Sequence, residues 1–437
     1  MYGADAVGLR PVPSRAWHGV LYFTLGVILV ISQLPVARSL EGGRIGVLYV
    51  GCLARSTPFW WMRSDPLFSM YFVQATLRDW ANWGPTQQAV SELQVFRMIR
   101  IYMPRSYSDL TSRFDVLIMA NANREAVTPH NTEMLAQGVR EGGMGLLMCG
   151  GWESFGGAFS RPPWGDTSIG ALLPTNDVPG TFVLQPAGDL RLIIDRPDNE
   201  FIRSLPWDPT QPFMTNFEHN IVTTKDGADV LAHVESAMFE DHPGMVTWEL
   251  EGGVRTFAVT GEIIGPGSEP GQIHTMCYHG GPWKYAIDFG CNLMIYLDNR
   301  AVPQDVELVH AVRSKMFETT TRKALLVGLL EFCDSFGANT DGIVRRIDEA
   351  ERMISDAIPR YLELHFEEVL ETYDQVGTML TEIEEEAVRV KNRTLLWVYI
   401  IEWTVVTATS MVCGVLLWSL MIRRRLYREV QTTKLLL

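Results

Sequence analysis

Residues Gly145 to Gly157 read GLLMCGGWESFGG. A short apolar run that ends on paired glycines and a polar turn is the pattern of a buried strand feeding a tight loop. Upstream, FDVLIMAN (Phe114 to Asn121) and RIGVLYVG (Arg44 to Gly51) have the same form. Between them and the quoted strand, Thr128 to Glu141 carries Met134, Leu135 and Val139 at helical spacing and closes on Gly142 and Gly143, a helix stop. A further helix-like stretch is expected around Met70 to Trp83. Strands alternating with helices at this interval predict βαβ crossovers, hence an α/β domain with a doubly wound, mostly parallel sheet. Ligands of such sheets bind at the carboxyl ends of the strands.

Downstream, TFVLQPAG, DLRLIID, ADVLAHVES, GMVTWELEGGVRTFAVTGE and the stretch ending at Leu297 read as further strands, with a hairpin turn at Glu251-Gly252-Gly253. The α/β domain is therefore expected over residues 44–300. After Pro303 the composition turns helical and charged, and a stalk is expected over residues 304–393. A first helix runs from about Asp305 to Phe336, ends near Gly337, and Thr340 or Asp341 can cap the next. Ile343, Ile347, Ala350, Ile354, Ala357 and Tyr361 recur at spacings of four and three, as do Val369, Tyr373, Val376, Leu380, Ile383, Ala387 and Val390. Pro359 should break or kink the chain between the two series. The seam suits either a pairing of two protomers or a bundle within one chain.

Both ends carry apolar runs. Val20 to Ile31 follows Arg10 and Arg15 and precedes the small residues Ala37 and Ser39, so residues 1–40 read as a cleaved signal peptide or an uncleaved signal anchor. Residues 395–422 are long and apolar enough for a transmembrane helix, and Arg423, Arg424, Arg425 and Arg428 open a short basic tail over residues 423–437. By the positive-inside rule the tail is cytoplasmic and the large domain extracytoplasmic, at the cell membrane. Glu402 lies in the outer part of that helix, where an ionisable residue marks a partner or an ion path or sits at headgroup level.

Of the 437 residues, 47% are hydrophobic and 20% charged, which fits a globular protein with local membrane segments. The formal net charge of −14, without a basic cluster outside the last flank, excludes nucleic acid as the expected partner. Six cysteines lack CxxC spacing, which argues against a zinc ribbon or a thioredoxin-like motif, although Cys277 and Cys291 are close enough in sequence to consider as a disulfide. Neither a cofactor motif nor a metal-binding spacing is read.

GLLMCGGWESFGG followed by PPWGDTSIGALLPT (Pro162 to Thr175) resembles the putative glutamine amidotransferase domains of the class I glutamine amidotransferase-like superfamily. RIGVLYVG with Thr57-Pro58, FIRSLPWDP, KDGADVLAHV and HPGMVTWELEGGVRTFAVTGE extend the resemblance over roughly residues 44–298, leaving out stalk and anchors. It implies an elbow with a Gly-x-Cys-x-Gly nucleophile, activated by a histidine and a glutamate, beside backbone N–H groups that hold an oxyanion. Here Cys149 stands before the glycines and Trp152 or Glu153 takes the expected elbow position, so the nucleophile is displaced or missing. Catalytic candidates are Cys149, Ser154 and His279. Gly151, Trp152, Glu153 and Asp166 are candidates to line a ligand crevice at the strand ends. His233-Val234-Glu235 has His-x-Glu spacing, but His365-Phe366-Glu367 repeats it in the stalk, so the string alone says little.

The expectation is a membrane-anchored, noncatalytic amidotransferase-like ectodomain acting in partner or ligand recognition and scaffolding of a membrane or envelope complex. Its partners would be the membrane, and a second copy or other membrane proteins through stalk and span. The alternative is an extracytoplasmic hydrolase or amidotransferase using an unorthodox residue set in the crevice.

Overall fold

The computed structural model describes residues 43–53, 62–63, 65–77, 91–157, 162–184, 190–207, 214–215, 218–236, 240–261, 276–278, 281–282, 285–363 and 365–433. The amino-terminal apolar run and His279 lie outside them. The chain from Arg44 onward forms one unit, separate from residues 1–43.

Its elements follow in chain order. The first part contains β1 (Ile45–Gly51), β2 (Phe68–Gln74), α1 (Glu92–Tyr102), α2 (Tyr107–Arg113), β3 (Val116–Ala120), α3 (Pro129–Arg140), β4 (Gly145–Cys149) and α4 (Ser168–Leu172). Then come β5 (Thr175–Leu184), β6 (Leu190–Ile194), α5 (Glu200–Arg203), β7 (Met214–Thr215), β8 (Glu218–Thr224), β9 (Asp229–Ser236), β10 (His242–Glu249) and β11 (Arg255–Val259). The last part holds β12 (Met276–Tyr278), β13 (Gly281–Pro282), α6 (Ala286–Leu297), α7 (Val306–Ser335), α8 (Asp341–Leu362) and α9 (Phe366–Thr433).

Eight strands form the main sheet in the order β2-β1-β3-β4-β11-β10-β9-β6. From β2 to β11 the pairings are parallel, and from β11 to β6 they are antiparallel. Every residue of β1, β3 and β4 is buried, because helices cover both faces and leave no polar side to alternate. On one face Leu48, Val50, Leu117, Met119, Leu146 and Met148 pack with Val95 and Ile99 of α1, Leu110 of α2 and Leu135 of α3. On the other, Val47, Tyr49, Ile118, Leu147, Cys149 and Phe257 pack with Phe289, Leu293 and Met294 of α6.

Two local expectations are corrected. Phe68–Gln74 is an edge strand paired with β1, so Met70 to Gln74 of the helix expected around Met70 to Trp83 are strand, and residues 78–83 of it lie outside the described residues. Phe68, Tyr71, Phe72 and Val73 suit a half-buried pleated surface, and that preference outweighs a short apolar periodicity. The stretch ending at Leu297 is helix α6, not a strand. It is apolar almost throughout, and a buried helix and a buried strand then look alike in sequence. The β10–β11 hairpin does turn on Gly252 and Gly253, whose φ angles of 89° and 79° suit glycine.

Asp305 caps α7 by accepting from the Leu308 N–H at 3.1 Å, and Gly337 ends the following turn at φ 75°. The seam is closed within the chain. Leu326 and Leu330 of α7, Ile343, Ile347 and Ala350 of α8, and Val376, Leu380, Ile383 and Ala387 of α9 form one buried cluster, a three-helix bundle. Pro359 sits inside α8, which stops three residues later at Leu362. Helix α9 then runs unbroken through residues 395–422, and at ~1.5 Å per residue its 68 residues reach about 100 Å. It is long and apolar enough to cross a membrane, and its most apolar window is unburied. Within that part the hydroxyls of Thr404, Thr407 and Ser410 donate to the carbonyls of Ile400, Trp403 and Val406. These bonds satisfy the polar groups locally, as a lipid environment requires. Glu402 and Arg423, Arg424 and Arg425 are exposed on the same helix.

Sheet domain and bundle are joined by a buried charged cluster. Arg313 of α7 donates to Asp288 Oδ1 at 3.0 Å and to Asn292 Oδ1 at 2.9 Å, and its Nε lies 3.7 Å from Asp65 Oδ2. Asp65, before β2, also accepts from the Leu67 N–H at 2.8 Å and from the Tyr361 hydroxyl of α8 at 2.8 Å. His310 completes the ring of contacts, its Nδ1 2.7 Å from Asp288 Oδ2. Burial pushes the Asp65 carboxyl up against the pull of Arg313. Cys291, buried in this cluster 3.9 Å from Asp65 Oδ2, carries an unbridged thiol, so the disulfide considered with Cys277 is not made. Removing one partner of a buried pair strands the other charge, so Arg313→Met is expected to destabilise the protein by about 3–5 kcal/mol in chemical denaturation. A loss below about 1 kcal/mol, the size expected of a surface pair, would show that the cluster does not hold the two halves together.

Candidate functional site at the strand ends

The carboxyl ends of β1, β3, β4 and β11 meet where the quoted glycine-rich loop leaves β4. That loop makes a series of turns rather than entering a helix. Gly150 lies so close to the neighbouring chain that a Cβ there would sit 1.9 Å from the Thr260 carbonyl oxygen, so only glycine fits. Phe155 takes a left-handed conformation at φ 49°, as does Asn121 at the end of β3 at φ 51°.

Four backbone donors of the loop are used internally. The Gly150 N–H donates to the carbonyls of Val259 and Gly261 at 2.8 and 3.0 Å, and that of Ser154 to Gly151 at 3.2 Å. The Gly151 N–H donates to Asn220 Oδ1 at 2.8 Å, and the Glu153 N–H to Asn121 Oδ1 at 2.8 Å. An oxyanion hole needs backbone donors that point at an empty position. These four do not.

The side chains are likewise engaged. Glu153 is 4% exposed, and its carboxylate accepts from Asn123 Nδ2 at 2.8 Å and from the Leu77 N–H at 3.2 Å. Ser154 Oγ accepts from the Asn121 N–H at 3.0 Å, and the Ser154 carbonyl from Asn220 Nδ2 at 3.3 Å. Trp164 of the WGDT segment is fully buried and donates from Nε1 to the carbonyls of Ala122 and Glu153 at 2.9 and 3.1 Å, clamping the β3 and β4 loops together.

Of the residues singled out from sequence, Gly151, Trp152, Glu153 and Ser154 come together here. Cys149 does not join them. It is the last residue of β4, fully buried, and packs in the core on the α6 side of the sheet. Strand alternation sends its side chain into that face rather than out of the strand end. Asp166 stands apart as well, exposed on its loop and 3.9 Å from Arg124. His233 lies on β9, separated from β4 by β11 and β10, and His365 is an exposed residue before α9.

Sequence reading missed Asn121, Asn123, Asn220, His219 and His242. His219 of β8 bridges to Gly261 and is fully buried, with neither ring nitrogen hydrogen-bonded. Its ring stacks on that of His242, with centroids 4.9 Å apart and planes 9° from parallel. Burial, and secondarily the neighbouring His242, pull the His219 pKa down to about 3, and burial lowers His242 too. Both histidines are thus neutral parts of the site. No spacing rule pairs residues 23 apart on different strands, so only the fold reveals them.

Residues 88–289 match the family GATase1_like, described as putative glutamine amidotransferase. The α/β domain is glutamine amidotransferase-like. Two solved structures, both cytoplasmic proteins of Salmonella typhimurium, are similar to this chain. The first is 16% identical with a TM-score of 0.43, over 58% of this chain and 99% of its own. The second is 14% identical with a TM-score of 0.40, over 57% and 98%. No curated protein matches.

In the amidotransferase-like domain, unfolding frees His219 to take up a proton wherever the pH is below its usual 6.5. Its contribution to stability is therefore complete above pH 6.5 and lost as pH falls toward about 3. Wild type is expected to lose on the order of 2 kcal/mol between pH 6.5 and 5 through this group. His219→Phe, which keeps a ring to stack on His242, should flatten most of that limb in denaturation curves. An unchanged pH slope would place the neutral histidine elsewhere.

Proposed function

We propose that this chain is a membrane-anchored recognition protein whose glutamine amidotransferase-like domain binds a partner or ligand without catalysis, within a membrane or envelope complex. The observation that carries the reading is the state of the β4 loop. Four of its N–H donors bond within the protein, Ser154 and Glu153 are held by Asn121 and Asn123, and Cys149 beside it faces the core. A nucleophile needs exposure, a base and an oxyanion site together. Among the described residues of this loop, none has all three.

The bundle supports the scaffolding part. It grips the sheet domain through Arg313 and passes without a break into the apolar part of α9, so the domain stands at a fixed height on the span. Arg423, Arg424, Arg425 and Arg428 after the span favour a cytoplasmic tail and an extracytoplasmic domain. Because the seam residues are already buried within one chain, association would use the span, including Glu402, and the outer surface rather than the bundle core.

Native protein treated with iodoacetamide and with a fluorophosphonate should show no modification at Cys149 or Ser154 by peptide mass spectrometry, and Cys149 should react after denaturation. Stoichiometric native labelling of either, abolished by His279→Ala, would replace this reading with a hydrolase or amidotransferase.

A further inference from the structure

We propose that His233, Glu235 and Asp241 form a binding site for a divalent transition-metal ion of the zinc class on the antiparallel half of the sheet. Along β9, Val234 is buried while His233 and Glu235 stand on the opposite, partly exposed face. The first residue of β10, His242, pairs with Val234, so Asp241 just before it comes opposite Glu235. One donor atom from each of the three residues lies within 4.8 Å of the others, and His233 Nε2 is 4.0 Å from Glu235 Oε1.

The orientation of the imidazole gives this group its metal chemistry. His233 Nδ1 lies 2.8 and 2.9 Å from the two carboxylate oxygens of Asp195, the residue after β6, two positions past the Ile193 that pairs with His233. A carboxylate at that distance holds the proton on Nδ1 and leaves the lone pair on Nε2, the nitrogen 4.0 Å from Glu235 Oε1. Metal-bound histidines have their other nitrogen fixed in this manner, which sets the tautomer and raises ligand basicity. One imidazole nitrogen with two carboxylates suits zinc and its neighbours better than calcium or magnesium, which favour all-oxygen shells. With metal–ligand lengths of about 2.0–2.2 Å, four-coordinate donors sit roughly 3.4 Å apart, so the donor atoms, now within 4.8 Å of one another, need to close by at most about 1.4 Å through rotation of partly exposed side chains. Three protein ligands leave a coordination position for water or an incoming group. The ion would join β9 to the residue before β10, with β6 involved only through the Asp195 bond to His233.

The test is calorimetric titration of the metal-stripped, full-length protein in detergent with zinc chloride, repeated with magnesium and calcium chloride. One equivalent of zinc is expected to bind to wild type and to raise its melting temperature. His233→Ala should lose this binding while melting as wild type does in EDTA. Asp195→Asn, which touches no metal, should weaken affinity about 10–100-fold. The proposal is overturned if wild type takes up no zinc, if His233→Ala binds as wild type does, or if calcium or magnesium binds in preference.

Discussion

A single guanidinium inside the protein determines how the amidotransferase-like domain is carried. Arg313 reaches from the first bundle helix to Asp288 on α6 and to Asp65 before the edge strand, while Tyr361 of α8 bonds the same Asp65. Buried charges are costly unless paired and hydrogen-bonded, so these groups hold one another only when sheet, α6, α7 and α8 are all in place. The tie makes the orientation of the domain on its bundle specific, and α9 continues from that bundle without a break into its apolar part. A flexible linker would leave the domain free to turn.

The second constraint acts at the opposite end of the strands. Gly150 approaches the Thr260 carbonyl closely, and Asn121, Asn123 and Asn220 bond the loop in place around Glu153 and Ser154. The N–H groups of Gly150, Gly151, Glu153 and Ser154, spent on fastening the loop, do not point at an empty position where a transition state could be held. Rigidity of this kind does suit a surface that presents one shape to a partner.

The parallel half of the sheet was legible because β1, β3 and β4 are continuous apolar runs bounded by turn residues, and the hairpin because Gly252-Gly253 is a strong turn signal. Edge strand β2 and helix α6 were misread because a short, mostly apolar stretch carries no period that separates strand from helix. The bundle helices were legible from their heptads, but the same pattern serves one chain or two, and only the contacts of Leu326 and Leu330 settle which. In the site, Gly151, Trp152, Glu153 and Ser154 were found because they are contiguous with a recognisable strand. The asparagines, the stacked His219 and His242, and Asp195 beside His233 come from separate strands, and their proximity is a product of register that no local motif encodes.

The proposed scaffolding role has one direct consequence, stable association with another chain. The native mass of the protein solubilised from its own membrane, with co-purifying chains identified by mass spectrometry, measures it. The account predicts a defined homo-oligomer or a complex with a second protein in fixed stoichiometry. A lone monomer with nothing attached would contradict it.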